Sequence, residues 1–231
     1  MPALTAELHA PGRLWAIGAG FARGAFLHML AYRVRYLVGV ANYLLYVSVN
    51  YYITRTVFET NPGALAPIMD DGELVTYFAV GWAARAAYFN NIDSKLAEQV
   101  SSGQLAMELI RPAPLPWMRY SETLGETAFR FLFMSVPTMI LLWLVYHPKL
   151  LLPATWVHGL AFIIAFVLAV HIYFAINFLT GLIAVFTLKI QGFLWAKFLI
   201  VQLLSGLLVP LSFIRPGWLR DIVEMSPFAF V

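Results

Sequence analysis

WVHGLAFIIAFVLAVHIYFAINFLTGLIAVFTL, residues 156–188, runs for 33 positions without an Asp, Glu, Lys or Arg. A bilayer core about 30 Å thick is crossed by about 20 helical residues at ~1.5 Å each. The stretch is longer than one straight span and too short for two with a turn between them. It predicts one long or tilted membrane helix with a short break at 189–192. The rest of the chain agrees: 61% of its 231 residues are hydrophobic, 12% are charged, and the mean hydropathy is +0.76. Soluble domains hold roughly 45–50% apolar and about 25% charged residues, so most of these side chains must face lipid or one another inside a membrane.

Working outward, four more apolar segments predict spans at 36–57, 74–90, 128–146 and 193–209. The fold class is therefore an all-α polytopic membrane protein with five spans. Residues 1–35 carry Arg23, His28, Arg33 and Arg35 among apolar residues. A central Arg costs about 2.5 to 3.5 kcal/mol on insertion, so this part is expected to lie at the interface and the membrane domain to occupy 36–231. A glycine-broken apolar start gives no cleavable signal pattern. Residues 211–231 are punctuated by Pro216-Gly217 and Pro227 and read as broken, re-entrant helix. With no polar tail after Phe230-Val231, a further C-terminal segment is expected.

Composition also excludes functions. Zero cysteines rule out disulfides and thiolate sites. The net charge of +3 is spread along the chain rather than gathered into a run, so no nucleic-acid partner is indicated. No GxxxxGK[ST], HExxH or GxSxG occurs, so ATP hydrolysis and hydrolase chemistry belong to other chains. With the N-terminus inside, ten Lys or Arg lie on inner segments, Lys95, Arg111 and Arg119 among them. Four lie outside, at Arg55, Lys149, Arg215 and Arg220. That bias predicts a cytoplasmic N-terminus and a cytoplasmic segment at 91–126. There a helix ends at Ser102-Gly103, a second ends before Arg111-Pro112, and Pro114 and Pro116 stiffen the return. A solvated loop is the plain alternative to a docking surface.

Four features then resemble the ABC-2 type permeases, the membrane subunits of one class of ABC exporter. They are Tyr32-Arg33 before the first span; Ser102-Gly103-Gln104-Leu105 with Leu109-Ile110-Arg111-Pro112; Ser205-Gly206 through Val209-Pro210-Leu211; and Pro216-Gly217-Trp218-Leu219 with Ser226-Pro227-Phe228. The first two look most like the branch encoded beside a separate ATPase. The resemblance implies a six-span permease of the bacterial plasma (inner) membrane, from which this chain departs by lacking the sixth span. It also implies an ABC ATPase subunit as partner, a second permease subunit, identical or different, and membrane lipid around both. No cofactor is expected on this chain, since ATP and Mg would sit on the ATPase. Coupling would run through Leu96, Val100, Gly103, Leu105, Leu109, Arg111 and Pro112, with Lys95, Glu98 and Glu108 as a charged rim.

Inside the membrane the candidates are few. Tyr43, Tyr46 and Asn50 share one helical stripe that faces a neighbouring helix, a pathway or the other subunit. Arg85 either snorkels to the interface or stands as a fixed charge facing a cavity or partner. His171 serves interhelical hydrogen bonding or transport. The seven Trp residues are expected in interfacial belts. A non-transporting membrane scaffold is the competing function.

Overall fold

The computed structural model describes residues 11–60, 69–111, 113–147, 149–187, 190–214 and 217–230, and every regular element among them is helical. In chain order these are α1 (Pro11–Ala31), α2 (Arg33–Thr60), α3 (Asp71–Tyr88), α4 (Ile92–Ser101), α5 (Gln104–Leu109), α6 (Leu115–Arg130), α7 (Val136–Tyr146), α8 (Trp156–Leu182), α9 (Gln191–Leu204) and α10 (Gly217–Met225). Short 3₁₀ turns cover Ile183–Val185, Leu211–Phe213 and Pro227–Phe230.

Local chemistry sets the ends. Asp70 opens α3 with a capping box: its carboxylate accepts from Glu73 N at 2.7 Å while Glu73 accepts from Asp70 N at 3.0 Å. Gly103 separates α4 from α5 at φ 75°, a left-handed turn that costs glycine nothing. The loop after α7 returns to α3 at Asp71, which accepts from Tyr51 Oη at 2.6 Å and Lys149 Nζ at 2.7 Å. Burial pushes the Asp71 carboxyl up, but the Lys149 and Tyr51 donors outweigh it and hold the group below the usual range. The bond to Asp71 raises Lys149 in turn.

The N-terminal fifty described residues run parallel to 115–146. Trp15 meets Trp117 at 5.1 Å, Phe26 meets Phe129 at 5.7 Å, and Tyr146 donates to Ser48 at 2.8 Å. At the closest approach a Cβ on Gly125 would lie 2.0 Å from the Ala22 carbonyl oxygen, so only glycine fits. One core cluster gathers Val47, Tyr51, Phe78, Trp82 and Leu142 between α2, α3 and α7; a second joins Tyr88, Val170, Tyr173 and Val201 across α3, α8 and α9.

The 33-residue stretch is one helix to Leu182 with a 3₁₀ end, as its length required. Elsewhere the structure differs from the sequence reading. The span expected at 128–146 starts earlier, inside the segment read as cytoplasmic: helix begins at Leu115 and continues through a π-helical turn, Phe131–Ser135, to Tyr146. Charge misled there because Arg119 and Glu122 neutralise each other inside the fold. The wide turn absorbs Pro137, which lacks an N–H, and lets Ser135 Oγ donate to Ala83 O at 2.7 Å. Of the described helices, Gly12–Ala31, Leu115–Tyr146 and Trp156–Val185 are long and apolar enough to cross a membrane. The first had been assigned to the interface. The spans expected at 36–57, 74–90 and 193–209 are α2, α3 and α9, but α9 at 14 residues covers only about 21 Å, so five full spans do not follow. Residues 211–230 are broken helix as expected, although Arg215 and Pro216 lie outside the described residues.

Candidate functional site

α4 is amphipathic, and its inward face is held by two charged clusters. Ile92, Asp93 and Leu96 are buried; a Cβ on Gly181 of α8 would come within 2.9 Å of both the Asp93 Cα and the Leu96 Cβ. In the first cluster Asp93 forms a buried ion pair with Lys197 of α9, and Lys197 Nζ donates to Asn177 Oδ1 at 2.5 Å. Asn177 Nδ2 donates to Asn90 Oδ1 at 2.8 Å and to Asn90 O at 3.0 Å. Three helices, α4, α8 and α9, and the turn before α4 are thereby fastened through one polar knot, beside a cavity of about 260 Å³ walled by Phe89, Tyr173 and Trp195.

In the second cluster Arg119 of α6, with a side chain 2% exposed, meets Glu122 at 2.7 Å and Glu108 at 3.2 Å and donates to Gln99 at 3.0 Å. Lys95 adds a 2.7 Å bond to Glu122, and Arg111 pairs with Glu108 at 3.1 Å. The two short helices are therefore braced from below, and apolar side chains are left at their tip. Met107 is 67% exposed, Leu109 62% and Ile110 75%.

These contacts rearrange the coupling candidates. Leu96 is 1% exposed and packs inward, so it fixes α4 rather than offering an anchor. Lys95 and Glu108 are spent on internal pairs and do not form a free rim, whereas Glu98 is exposed. Val100 and Leu105 are half-buried, Gly103 makes the turn, and Leu109 and Arg111 are exposed. Pro112 lies outside the described residues. Met107 and Ile110 were missed, since a helix of six residues, mostly apolar, is too short for periodicity to show which face is exposed.

Among the membrane candidates, Tyr46 stacks on Trp82 at 4.6 Å and Tyr43 lies 6.0 Å from the same ring, so part of the stripe packs against α3. Trp82 is 2% exposed and belongs to the core, not to an interfacial belt. Asn50 donates to its own helix at Tyr46 O, 2.8 Å. Arg85 does not snorkel: it is 2% exposed, with its guanidinium 4.9 Å from the Tyr173 ring, 5.2 Å from Phe89 and 5.8 Å from Tyr88. His171 Nδ1 donates to Val167 O at 2.6 Å and its Nε2 meets Tyr120 Oη at 2.6 Å, a bond from α8 to α6. The Asp93–Lys197 knot was also missed. Its signal was a lone lysine in FLWAKFLIVQLL, since an ionisable residue among apolar ones demands a partner.

A family model described as ABC-2 family transporter protein matches residues 73–230, which covers α3 through α10 and therefore both clusters. The chain belongs to the ABC-2 transporter family. No curated protein and no solved structure matches it. This ABC-2 protein is accordingly a membrane permease of an ABC transporter, a transport component rather than a catalyst. Both clusters and Arg85 lie in the part that carries the family match; α1 and the whole of α2, which carries the Tyr43–Tyr46 stripe, precede it.

Proposed function

We propose that this permease is the transmembrane subunit of an exporter driven by a separate ATPase, which docks on the tip formed by Met107, Leu109 and Ile110, with Val100, Gly103, Leu105 and Arg111 at its border. The observation that carries the reading is an exposed apolar tip on helices braced by Arg119 and Asp93: three large apolar side chains are displayed while every nearby charge but Glu98 is engaged. Anchors of this kind concentrate binding energy in a partner interface. The basic-residue bias supports a cytoplasmic side for this tip and for the N-terminus, and the reading sets the protein in a bacterial inner membrane. A second permease chain completes the pathway, and ATP and Mg belong to the ATPase. Closure of the ATPase pair would press on α5, and the two clusters would carry the push to α6 and to α8 and α9.

Leu109→Asp combined with Ile110→Asp tests the docking. Because both side chains are already in solvent, the variant should insert and hold its thermal midpoint, while the ATPase copurified from native membranes falls about tenfold or more, the loss expected when anchors worth ~2 kcal/mol are removed. Undiminished copurification removes the docking surface. If no ATPase accompanies the unmutated protein, the scaffold reading replaces this one.

A further inference from the structure

Among the described residues, the cations drawn into the fold are of two kinds. Arg119 and Lys197 each face a carboxylate, Glu122 with Glu108 for the first and Asp93 for the second. Arg85 and Arg130 are equally enclosed, 2% and 8% exposed, and among the described residues neither has a carboxylate within ion-pair distance. Both lie over the Phe89 ring, Arg85 at 5.2 Å and Arg130 at 5.4 Å. Nη1 of Arg85 and Nε of Arg130 have no hydrogen-bond partner. Ring faces attract a guanidinium but do not neutralise it, and a buried charge without a counter-ion is unfavourable. Arg130 still has the Glu126 carboxylate one turn away as a partial counter-charge, whereas among the described residues no carboxylate acts on Arg85.

Beside Arg85 lies a cavity of about 790 Å³ between α3 and α8. Gly81, Ala84 and Tyr88 line it from α3, and Phe162 and Ala165 from α8. The ring of Tyr88 is the shared wall, with the Arg85 guanidinium 5.8 Å from its centroid. On the rim Phe162 is 46% exposed and Leu168 55% exposed, on a helix long and apolar enough to cross the membrane, so the cavity opens toward lipid. From Tyr88 to Tyr77 it follows α3 for about 16 Å at ~1.5 Å per residue. It is an apolar slot along the helix axis that ends beside an unneutralised cation.

We propose that Arg85 and this slot form a binding site for an anionic membrane lipid. An acyl chain enters from the bilayer and lies along α3, and the phosphate reaches Arg85 once the Tyr88 ring turns aside. Charge selects the headgroup and the slot selects hydrocarbon, which sets the ligand apart from a free anion and from a neutral lipid. The site requires only that the chain lies in a membrane and draws nothing from the ATPase, so it can fail or hold independently of the docking surface.

Native mass spectrometry of the detergent-purified protein, titrated with phosphatidylglycerol or phosphatidylcholine, reads the site directly. The unmutated protein should retain phosphatidylglycerol about tenfold more than phosphatidylcholine, the factor a charge-assisted contact commonly confers. Arg85→Gln should abolish the preference, Arg85→Lys should keep part of it, and excess inorganic phosphate should not displace the lipid. Ala165→Trp fills the slot from its open side and should lower retention with the fold intact, so the site remains testable if Arg85→Gln does not fold. Equal retention of the two lipids, a preference that survives in Arg85→Gln, release by inorganic phosphate, or undiminished binding in Ala165→Trp would each overturn the proposal.

Discussion

Replacing Lys197 by Met keeps the length of the side chain and removes its charge, leaving the Asp93 carboxylate, 5% exposed, with no cation. Breaking a buried pair from one side costs about 3–5 kcal/mol, because the remaining charge is neither solvated nor neutralised. For a chain of this size 1 kcal/mol moves the thermal midpoint by about 2–4 °C, so the expected fall is roughly 6–20 °C. Converting both partners, Asp93→Leu with Lys197→Met, removes the orphaned charge as well. Replacement of a whole buried pair by apolar residues is often neutral, and what remains is the Asn177 carbonyl that loses its lysine donor and the Ser94 N–H that loses the Asp93 acceptor, about 1–3 kcal/mol for each such group. The double variant should therefore be more stable than the Lys197→Met single. Tryptophan fluorescence melts of the detergent-purified protein at pH 7 give all three midpoints. A double variant that melts at or below the single one would mean that Asp93 is not stranded by the loss of Lys197, and the knot would no longer account for how α4 is held to α8 and α9.

Gly125→Val places a side chain where the Ala22 carbonyl already stands, so α1 should be levered off α6 and trypsin should cut rapidly at Arg23; Gly24→Val, which meets nothing within 4 Å, is the control and should stay resistant. The Asp71–Lys149 pair sets a limit at each end of the pH scale. Asp71 is depressed below 3.8, so its contribution is present above that value and is lost as pH falls through the lower folded value. Lys149 is raised above 10.5, so its contribution is present below that value and is lost as pH rises through the higher folded value. Melting between about pH 5 and 9 should thus be insensitive to this pair, and Asp71→Asn should soften the acid decline; an unchanged acid decline would show that the carboxylate is not held by Lys149 and Tyr51.

Class and family were legible in the sequence because both rest on features that tolerate imprecision. A 33-residue uncharged run needs no register to be read as membrane helix, and Gly103 and Arg111-Pro112 bounded the short helices correctly. Charged residues were harder. Glu122 and Arg119 fall in the segment expected to be cytoplasmic, yet a pair that neutralises itself can sit inside a helix that continues into the membrane. Leu96 and Ile110 look alike as letters, and only the approach of Gly181 decides that one is interior and the other displayed. Asp93 and Lys197 stand 104 residues apart, a separation at which no local pattern carries information. Arg85 was recognised as anomalous, but its aromatic enclosure depends on Tyr173, on a helix whose rotation a single sequence does not reveal.

The parallel pairing of α1 and α2 with 115–146 also bears on how the protein is made. By the time residue 60 leaves the ribosome, the helices that will cover Gly18, Phe26 and Tyr36 do not yet exist. Tyr146, which ties off the pairing at Ser48, emerges 86 residues later, roughly 4–17 s at synthesis rates of about 5–20 residues per second. Throughout that interval the glycine and tyrosine faces of the first helices have no helix 115–146 to pack against, so this pairing can close only once translation has passed Tyr146.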